Sequence, residues 1–321
     1  MTLEAAEATS AAEIETARAL VAEAEAHDGA SAISDQALLA AAQGQRALLL
    51  FSEGGSPRPV AVGVVGDGEI DLVVRPEERG RGIGAAASRA LLAAADDGVP
   101  LLAWAHGENP GAEALLRASG FAPVRSLYRM ALDPALLPVD GRDPFGLPVP
   151  EGLALRAFDP ASPRDAGAWV RANAAAFADH PEQGRITEAD FAILRREPWF
   201  DPEDLLLLAA GGTGDAAEDG AGELAGSSWI KTVRGENGDA ETELYAVGVR
   251  PEYAGRGLGR LLLDATLARM AQHAPERVTL YVDGENAAAV RMYETAGFTI
   301  DSRSRQWRRE PRAGVDVRMD A

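Results

Sequence analysis

The order of apolar and polar positions predicts a chain that alternates helices with strands and does so twice. Near the N-terminus, Ile14, Ala17, Leu20 and Val21 recur at helical spacing, which predicts one buried helical face. Short apolar runs bounded by turn residues predict the strands. In the first half these are Ala47–Phe51, Pro59–Val65, Glu69–Val74, Leu101–Ala105 and Phe121–Leu132. In the second half they are Leu153–Phe158, Leu205–Ala210, Glu223–Val233, Glu241–Val249, Arg277–Val282 and Phe298–Trp307.

Helical patterns fill the intervals between the strands. They cover 11–43 with a break at Asp28-Gly29, the segment after residue 82, Glu113–Ala118, Arg164–Phe177, a stretch ending near Arg196, 257–273 and 286–294. The sequence therefore predicts a mixed α/β fold in which each half has a mixed central β-sheet flanked by helices. We expect one domain over 1–132, a proline-rich linker over 133–151 and a second domain over 152–321. The Gly/Asp/Ala-rich stretch 211–222 is expected to be a surface loop.

A glycine-rich motif occurs once in each half, in the same setting. Arg75–Gly84 and Arg250–Gly259 both follow an apolar strand and open an Ala/Leu-rich helix. Glycines there let a phosphate group reach backbone N–H groups at the helix N-terminus. Two later landmarks, Gly-Glu-Asn and Gly-Phe, follow both motifs in the same order and at nearly the same spacing. Three matched landmarks indicate a duplicated domain with two phosphate-binding loops.

Composition narrows the class of function. A formal net charge of −19 argues against binding to nucleic acid or to an anionic membrane. The chain has no cysteine and four histidines, and with no metal-binding spacing among them we expect no metal site. The acidic N-terminus does not resemble a signal peptide, so we expect a cytoplasmic protein. We also expect a monomer.

The strand, glycine loop and helix, with Gly-Phe further along each half, resemble the Gcn5-related N-acetyltransferase (GNAT) family. This resemblance implies two tandem GNAT domains that bind acetyl-CoA, with the pyrophosphate on the glycine loop and acetyl transfer to an amine. Arg79, Gly82 and Gly84 match the family pattern, whereas Ala254 stands where a Gln or Arg is usual. The residues implied in the first cofactor site are Leu72, Val73, Val74, Gly80, Arg81, Gly82, Ile83, Gly84 and Ala85. Those in the second are Val247, Gly248, Val249, Ala254, Gly255, Arg256, Gly257, Leu258, Gly259, Arg260, Asn286, Ala287, Ala288, Ala289, Val290 and Arg291.

The tandem arrangement is similar to the mycothiol synthase family over nearly the whole chain. Among the segments that carry this likeness are 180–184, 199–202, 229–231, 243–249 and 280–282. It implies transfer of acetyl to the cysteinyl amine of desacetylmycothiol, a glucosamine–inositol pseudodisaccharide. The substrate-binding residues implied are Asp35, Glu182, Lys231, Glu243 and Tyr281. His106 and His180 lie beside turn residues, and we expect them to be structural.

The halves differ at the positions that proton transfer needs. An amine must lose a proton to attack a thioester and the departing thiolate must gain one. Aligned on the shared landmarks, Gly68 stands opposite Glu243 and Leu116 opposite Tyr293. We therefore expect Glu243 to be the base and Tyr293 the acid, with the first domain binding acetyl-CoA without catalysis.

The predicted strand places Glu243 on one face with residues 245, 247 and 249. By resemblance, a bulge in this strand has a backbone N–H near 247–249 that polarises the thioester carbonyl. A structural role remains the alternative for both side chains, with Glu243 at a strand edge and Tyr293 in the core. Two other functions also remain open, acetylation of a different amine and non-catalytic binding of acetyl-CoA.

Overall fold

The structure is a computed structural model that describes residues 3–96, 98–139, 141–178, 183–210, 223–235 and 237–311, without the side chains of residues 35 and 36. Its helices are α1 Ala11–Asp28, α2 Asp35–Ala42, α3 Ile83–Ala94, α4 Pro110–Ala118, α5 Asp165–Ala176, α6 Glu188–Leu194, α7 Leu258–Gln272 and α8 Ala287–Thr295. Its strands are β1 Leu3–Glu7, β2 Ala47–Glu53, β3 Ala61–Gly66, β4 Glu69–Val74, β5 Leu101–Ala105, β6 Ala122–Leu132, β7 Leu153–Ala157, β8 Leu205–Ala210, β9 Leu224–Arg234, β10 Ala240–Val249, β11 Arg277–Asp283 and β12 Thr299–Arg309. The predicted mixed α/β fold is confirmed, and β1 is the one described strand that the pattern did not predict.

Local sequence explains where the first helix begins and ends. Ser10 and Glu13 form a capping box that satisfies backbone N–H groups at the start of α1. Gly29 ends the helix in a left-handed conformation, and its N–H donates to the Glu25 carbonyl. The Asp28-Gly29 break expected from the sequence is therefore a helix C-terminus.

Both halves use the same strand topology. In the first half β1, β2, β3 and β4 pair antiparallel in order, and β4 pairs parallel with β5 at Glu69 and Leu102. In the second half β7, β8, β9 and β10 pair antiparallel in order, and β10 pairs parallel with β11. Such a parallel step requires a crossover, which α3 and α7 supply.

The chain folds into two compact units that are not continuous in sequence. Unit 1 holds Met1–Tyr128, Asp283–Glu285 and Ser302–Ala321, and unit 2 holds Arg129–Val282 and Asn286–Asp301. Within unit 1, Arg305–Arg309 of β12 pairs antiparallel with β5. Our expected domains over 1–132 and 152–321, with a linker over 133–151, stay a prediction. The functional division between the halves stays a prediction.

Helices cover both faces of the strands in each unit. In unit 1, α1 and α2 pack Leu20 and Leu38 on one face, while α3 packs Ile83 and Leu91 on the other. In unit 2, Trp169 of α5 packs with Trp229 of β9 on one face. On the opposite face the Ser228 hydroxyl lies 2.6 Å from the Thr266 hydroxyl of α7. These layers leave the strand ends and glycine loops to form the site.

Candidate active site

The second glycine loop connects β10 to α7 through a 3-10 turn, Pro251–Tyr253. Gly257 is the N-cap of α7 with φ +75°, and it makes no side-chain cap hydrogen bond. A Cβ at Gly255 or Gly257 would meet nothing within 4 Å, so the space beside this backbone is open. The first N–H groups of a helix lack intrahelical partners. The loop therefore fits a pyrophosphate, as the sequence predicts.

The first glycine loop has the same backbone. It has a 3-10 turn over Pro76–Glu78, and Gly82 is the N-cap of α3 with φ +82°. Its arginines already have carboxylate partners. Arg79 donates two hydrogen bonds of 2.7 Å to Asp28, and Arg81 pairs with Glu53 at 3.0 Å and with Glu78.

Arginines around the second loop are engaged differently. The Arg256 guanidinium lies 5.8 Å from the Tyr253 ring centroid. Arg260 pairs with Asp264 at 2.8 Å on the exposed surface of α7. Arg250, which begins the motif, pairs with Glu223 and with Glu252 at 3.3 Å. Among the described residues, the arginine of this loop without a carboxylate partner is therefore Arg256.

Strands β10 and β11 diverge next to this loop. Their parallel pairing runs from Glu241–Arg277 to Leu244–Leu280 and ends there, although β10 continues to Val249. Backbone groups at 246–249 on that edge have no β11 partner within the described residues. A groove of this kind can take an extended ligand that hydrogen-bonds to strand backbone.

Glu243 lies on β10 beside this divergence. Its cross-strand partners are Lys231 of β9 and Thr279 of β11. The side chain is partly buried, and burial raises the pKa of the Glu243 carboxyl above its usual value, while the positive charge of Lys231 opposes that rise. This placement suits a general base, because a raised pKa brings the Glu243 carboxyl closer to the pKa of the ammonium whose proton it must accept.

A β-bulge in β10 changes which residues face the same way as Glu243. The β9–β10 register shifts between Leu244 and Ala246, so Tyr245 is an extra residue. Beyond the bulge, Ala246 and not Val247 points to the face of Glu243. The expectation that Glu243 shares its face with 247 and 249 is therefore wrong. The bulge expected by resemblance is present, at Tyr245.

The bulge also corrects the alignment of the two halves. Glu243 pairs with Lys231 and Thr279, and Glu69 occupies the same register position because it pairs with Gly66 and Leu102. The extra residue in β10 makes Glu69, and not Gly68, the counterpart of Glu243. The first half therefore does have a carboxylate there, and its partner is Arg46 at 3.3 Å.

Tyr293 lies on α8 with 4% of its surface exposed. Burial raises the pKa of its hydroxyl far above the usual range, so the group stays protonated at physiological pH. No hydrogen-bond partner of this hydroxyl is found among the described residues. Its ring meets Phe298 edge to face at 5.9 Å. The alignment with Leu116 holds, because Phe121 N–H donates to the Leu116 carbonyl and Phe298 N–H to the Tyr293 carbonyl, both at 3.0 Å.

The structure brings some of the predicted substrate residues together. Lys231 and Glu243 are cross-strand partners, and Tyr281 follows Thr279 by two positions, so all three lie on one face of the strands. Tyr281 is 51% exposed. Asp35 begins α2 in unit 1, but its side chain lies outside the description. Glu182, His180 and the loop over 211–222 also lie outside the described residues.

Other predicted cofactor residues end the strands before the glycine loops or begin α8. Leu72–Val74 and Val247–Val249 end the strands that lead into the loops. Asn286 is the N-cap of α8, and its side chain accepts from the Ala289 N–H. Their part in binding the cofactor stays a prediction.

Sequence reasoning missed an aromatic wall beside the base. Trp199 lies 5.5 Å from Trp229 and 5.6 Å from Tyr245, measured between ring centroids. The Lys231 ammonium lies 5.5 Å from the centroid of Trp199. The available signal was the segment 199–202 within the resemblance, to which no function was given.

No cluster of three or more metal-ligating side chains is found in the part of the chain that the structure describes. None of the described helices is long and apolar enough to cross a membrane.

Comparison with known proteins identifies relatives of the chain. Residues 174–298 match the model of the acetyltransferase (GNAT) family. The mycothiol acetyltransferase of Clavibacter michiganensis is 40% identical over 291 residues, which cover 89% of this chain and 88% of that protein. That of Streptomyces griseus is 38% identical and covers 95% of this chain and 94% of its own length.

Two solved structures share the fold of the chain. A GCN5-related N-acetyltransferase from Sphaerobacter thermophilus has a TM-score of 0.65 at 21% identity and covers 98% of both chains. A tandem GNAT protein from the clavulanic acid biosynthesis pathway has a TM-score of 0.62 at 21% identity, covering 97% of this chain and 99% of its own. The relatives and the fold agree with the two families that the sequence resembled, so the chain belongs to the mycothiol acetyltransferase family of Gcn5-related N-acetyltransferases.

Proposed function

We propose that the chain transfers the acetyl group of acetyl-CoA to the cysteinyl amine of desacetylmycothiol, giving mycothiol and CoA, and that the second half does the chemistry. The observation that carries this proposal is the placement of Glu243 and Lys231 as cross-strand partners beside the diverging edge of β10. Relatives named mycothiol acetyltransferase over about nine tenths of the chain support the acceptor.

The second glycine loop fits the cosubstrate. Its open backbone at 255–257 would hold the pyrophosphate, and 246–249 would hydrogen-bond to the pantetheine arm. When bound there, acetyl-CoA supplies the activated acetyl group. We place a second acetyl-CoA on the first loop, in a structural role.

In this proposal, residues of the second half supply the base, the hydrogen-bond donor to the carbonyl oxygen and the acid. Glu243 accepts the proton of the acceptor ammonium and so frees the amine for attack. A backbone N–H of β10 next to the bulge donates to the carbonyl oxygen as negative charge develops there. Tyr293, which burial keeps protonated, donates its proton to the departing sulfur.

In this proposal, polar groups around the base bind the acceptor. Lys231 and the exposed Tyr281 can donate hydrogen bonds to sugar hydroxyls. Asp35 and Glu182 complete the proposed set by resemblance, as acids that accept from hydroxyls or pair with the ammonium. A cytoplasmic location and a monomeric state remain predictions.

An acceptor panel tests the proposal. Initial rates with acetyl-CoA are measured for desacetylmycothiol, glucosamine, free cysteine and a peptide with a free N-terminus. We expect kcat/KM for desacetylmycothiol to exceed the others by at least two orders of magnitude, because only it fills both the sugar and the cysteinyl contacts. Equal turnover of the peptide would show that the acceptor is not desacetylmycothiol. No turnover of any amine would indicate a protein that binds acetyl-CoA without catalysis.

A further inference from the structure

Lys231 is the only lysine in the chain, so the other 30 of the 31 strongly basic residues are arginines. A lysine ammonium is a compact charge on a flexible stem, whereas a guanidinium forms a planar two-bond fork with a carboxylate. The one place where the chain uses the compact cation is opposite Glu243.

A flexible stem needs a support if its charge is to stay in one place. Lys231 makes no ion pair with any described residue. The contact that the structure gives its ammonium is the Trp199 ring, at 5.5 Å from the centroid. Cations are attracted to the face of an indole by the charge distribution of the ring.

Trp199 itself is held firmly. It packs between Trp229 and Tyr245, and the turn that follows it is anchored to α7. Arg269 donates to Asp204 at 2.7 Å and to Asp201 at 3.1 Å. A His273 ring nitrogen lies 2.7 Å from the same Asp204 oxygen. Asp204 is fully buried, so this anchor is shielded from solvent.

We propose that Trp199 is a positioning residue, whose indole face fixes the Lys231 ammonium beside Glu243. The role rests on the proposed function of Glu243 as the base. A fixed cation near the carboxylate favours its ionised, proton-accepting form. Loss of Trp199 lets the ammonium move into solvent and weakens that effect.

The surroundings of Glu243 single out Lys231 as the charge that matters. Besides Lys231, the charged and titratable groups on the described elements packed against β10 are Arg234 on β9, Arg277, Tyr281 and Asp283 on β11, Asp165 and Arg171 on α5, and Arg260, Asp264 and Arg269 on α7. Arg277 pairs with Glu241, Asp165 with Arg156 and Arg260 with Asp264. Lys231 is the charge that lowers the pKa of Glu243.

The first measurement is the pH profile of kcat/KM for Trp199→Leu, Lys231→Met and the double variant. We expect the acid limb of Trp199→Leu to move to higher pH by roughly half a unit, the scale of an exposed cation–π contact. Lys231→Met should move it in the same direction, and the double variant no further than Lys231→Met alone. Trp199→Phe, which keeps an aromatic face, should restore part of the shift.

A matched control comes from the first half. Trp104 faces the Arg125 guanidinium at 6.0 Å, so Trp104→Leu removes a similar contact and should leave the acid limb in place. A uniform loss of rate at every pH in Trp199→Leu, or additive limb shifts in the double variant, would overturn the positioning role.

The second measurement needs no acceptor, so it separates this proposal from the proposed function. Because the chain has one lysine, labelling with ¹³C,¹⁵N-lysine in a tag-free protein gives a single set of lysine side-chain signals. We expect the ε-methylene signal to be displaced by the ring current of Trp199, and to sense the titration of Glu243 at a higher pH in Trp199→Leu. If the signal and its titration are the same in both proteins, Trp199 does not hold Lys231, whatever the enzyme acetylates.

Discussion

The first glycine loop is surrounded by acids that engage its arginines, and the second is flanked by the catalytic candidates. Arg79 and Arg81 are paired with Asp28, Glu53 and Glu78, whereas the second loop lies beside the strand of Glu243. The backbone of the two loops is nearly the same, with Gly82 at φ +82° and Gly257 at φ +75°. The shared backbone suits a phosphate at both loops, and it does not distinguish the two halves.

The base position shows the difference most clearly. Glu69 and Glu243 occupy the same register position, but the Glu69 side chain is 45% exposed and paired with Arg46. Glu243 is partly buried and faces Lys231, where the first half has Gly66. Leu116 stands in place of Tyr293, the proposed acid. The two halves therefore share a carboxylate at this register position and differ in its charge environment and in the tyrosine.

The largest expected effect separates these two glutamates. Glu243→Gln keeps the shape and removes the base, so kcat/KM at neutral pH should fall by roughly 10²- to 10⁴-fold, the usual scale of general acid–base catalysis. The matched variant Glu69→Gln should leave turnover within about twofold. Some activity should return to Glu243→Gln at high pH, because solvent then deprotonates the amine, whose reference pKa is about 8.

Initial rates over pH 6 to 10 measure both variants. A normal profile in Glu243→Gln, or a comparable loss in Glu69→Gln, would remove the proposed division between the halves.

The glycine loops give the next largest effect. Gly257→Val puts a β-branched residue at a left-handed φ, which costs roughly 1–3 kcal/mol of backbone strain, and places a side chain where the pyrophosphate would lie. We expect its activity with acetyl-CoA to collapse. Gly82→Val introduces the same strain in the first loop. We expect this variant to keep most of its turnover per folded molecule and to lose one of the two proposed acetyl-CoA binding sites.

Calorimetric titration with CoA and thermal melts distinguish these outcomes, because a ligand that binds only the folded state raises its stability. A Gly82 variant that folds normally and is inactive, together with an active Gly257 variant, would place catalysis in the first half.

A smaller effect is expected at the acid. Tyr293→Phe should lower kcat by about 10²-fold if the hydroxyl protonates the sulfur, because the buried ring stays and only the proton donor is lost. The melting temperature should not fall, since the hydroxyl has no partner among the described residues. Tyr128→Phe in the first half is the control. An unchanged kcat would leave Tyr293 as a core residue, the alternative that the sequence left open.

The sequence predicted more of the fold than of the catalytic geometry. Strand and helix patterns are local, so all the described strands except β1 were expected. The bulge at Tyr245 depends on how β9 and β10 pair, and no local pattern shows it. A constant offset between the halves, taken from their Arg-Pro pairs, therefore assigned Gly68 where the register assigns Glu69. Glu243 and Tyr293 lie on β10 and α8 as expected, and their catalytic roles stay predictions. The contact of Lys231 with Trp199, which is distant in sequence, needed the structure.

The smallest expected effect concerns stability and the acids of the first half. Asp71 pairs with the buried Arg46 at 2.8 Å, yet its own burial raises the pKa of Asp71 to about 6. The matching register position in the second half is Ala246, which has no carboxyl group, so the second half has no cost of burying a carboxylate there. Between about pH 4 and 6 the folded protein binds more protons at Asp71 than the unfolded chain, whose Asp pKa is about 3.9. The free energy of unfolding should therefore decrease as pH rises through that window.

Asp71→Asn removes this proton from both states, so its stability should change less between pH 4 and 6 than that of the wild type. The difference between the two changes in unfolding free energy should amount to about 3 kcal/mol at most over the window, at about 1.4 kcal/mol per pH unit. Urea unfolding at several pH values measures it, with Asp264→Asn, an exposed acid of α7, as the control. If the pH dependence of wild type and Asp71→Asn is the same, Arg46 holds Asp71 ionised in the fold. The Asp71–Arg46 ion pair would then persist throughout this pH window, and burial of the Asp71 carboxyl would add no pH-dependent cost to the first half.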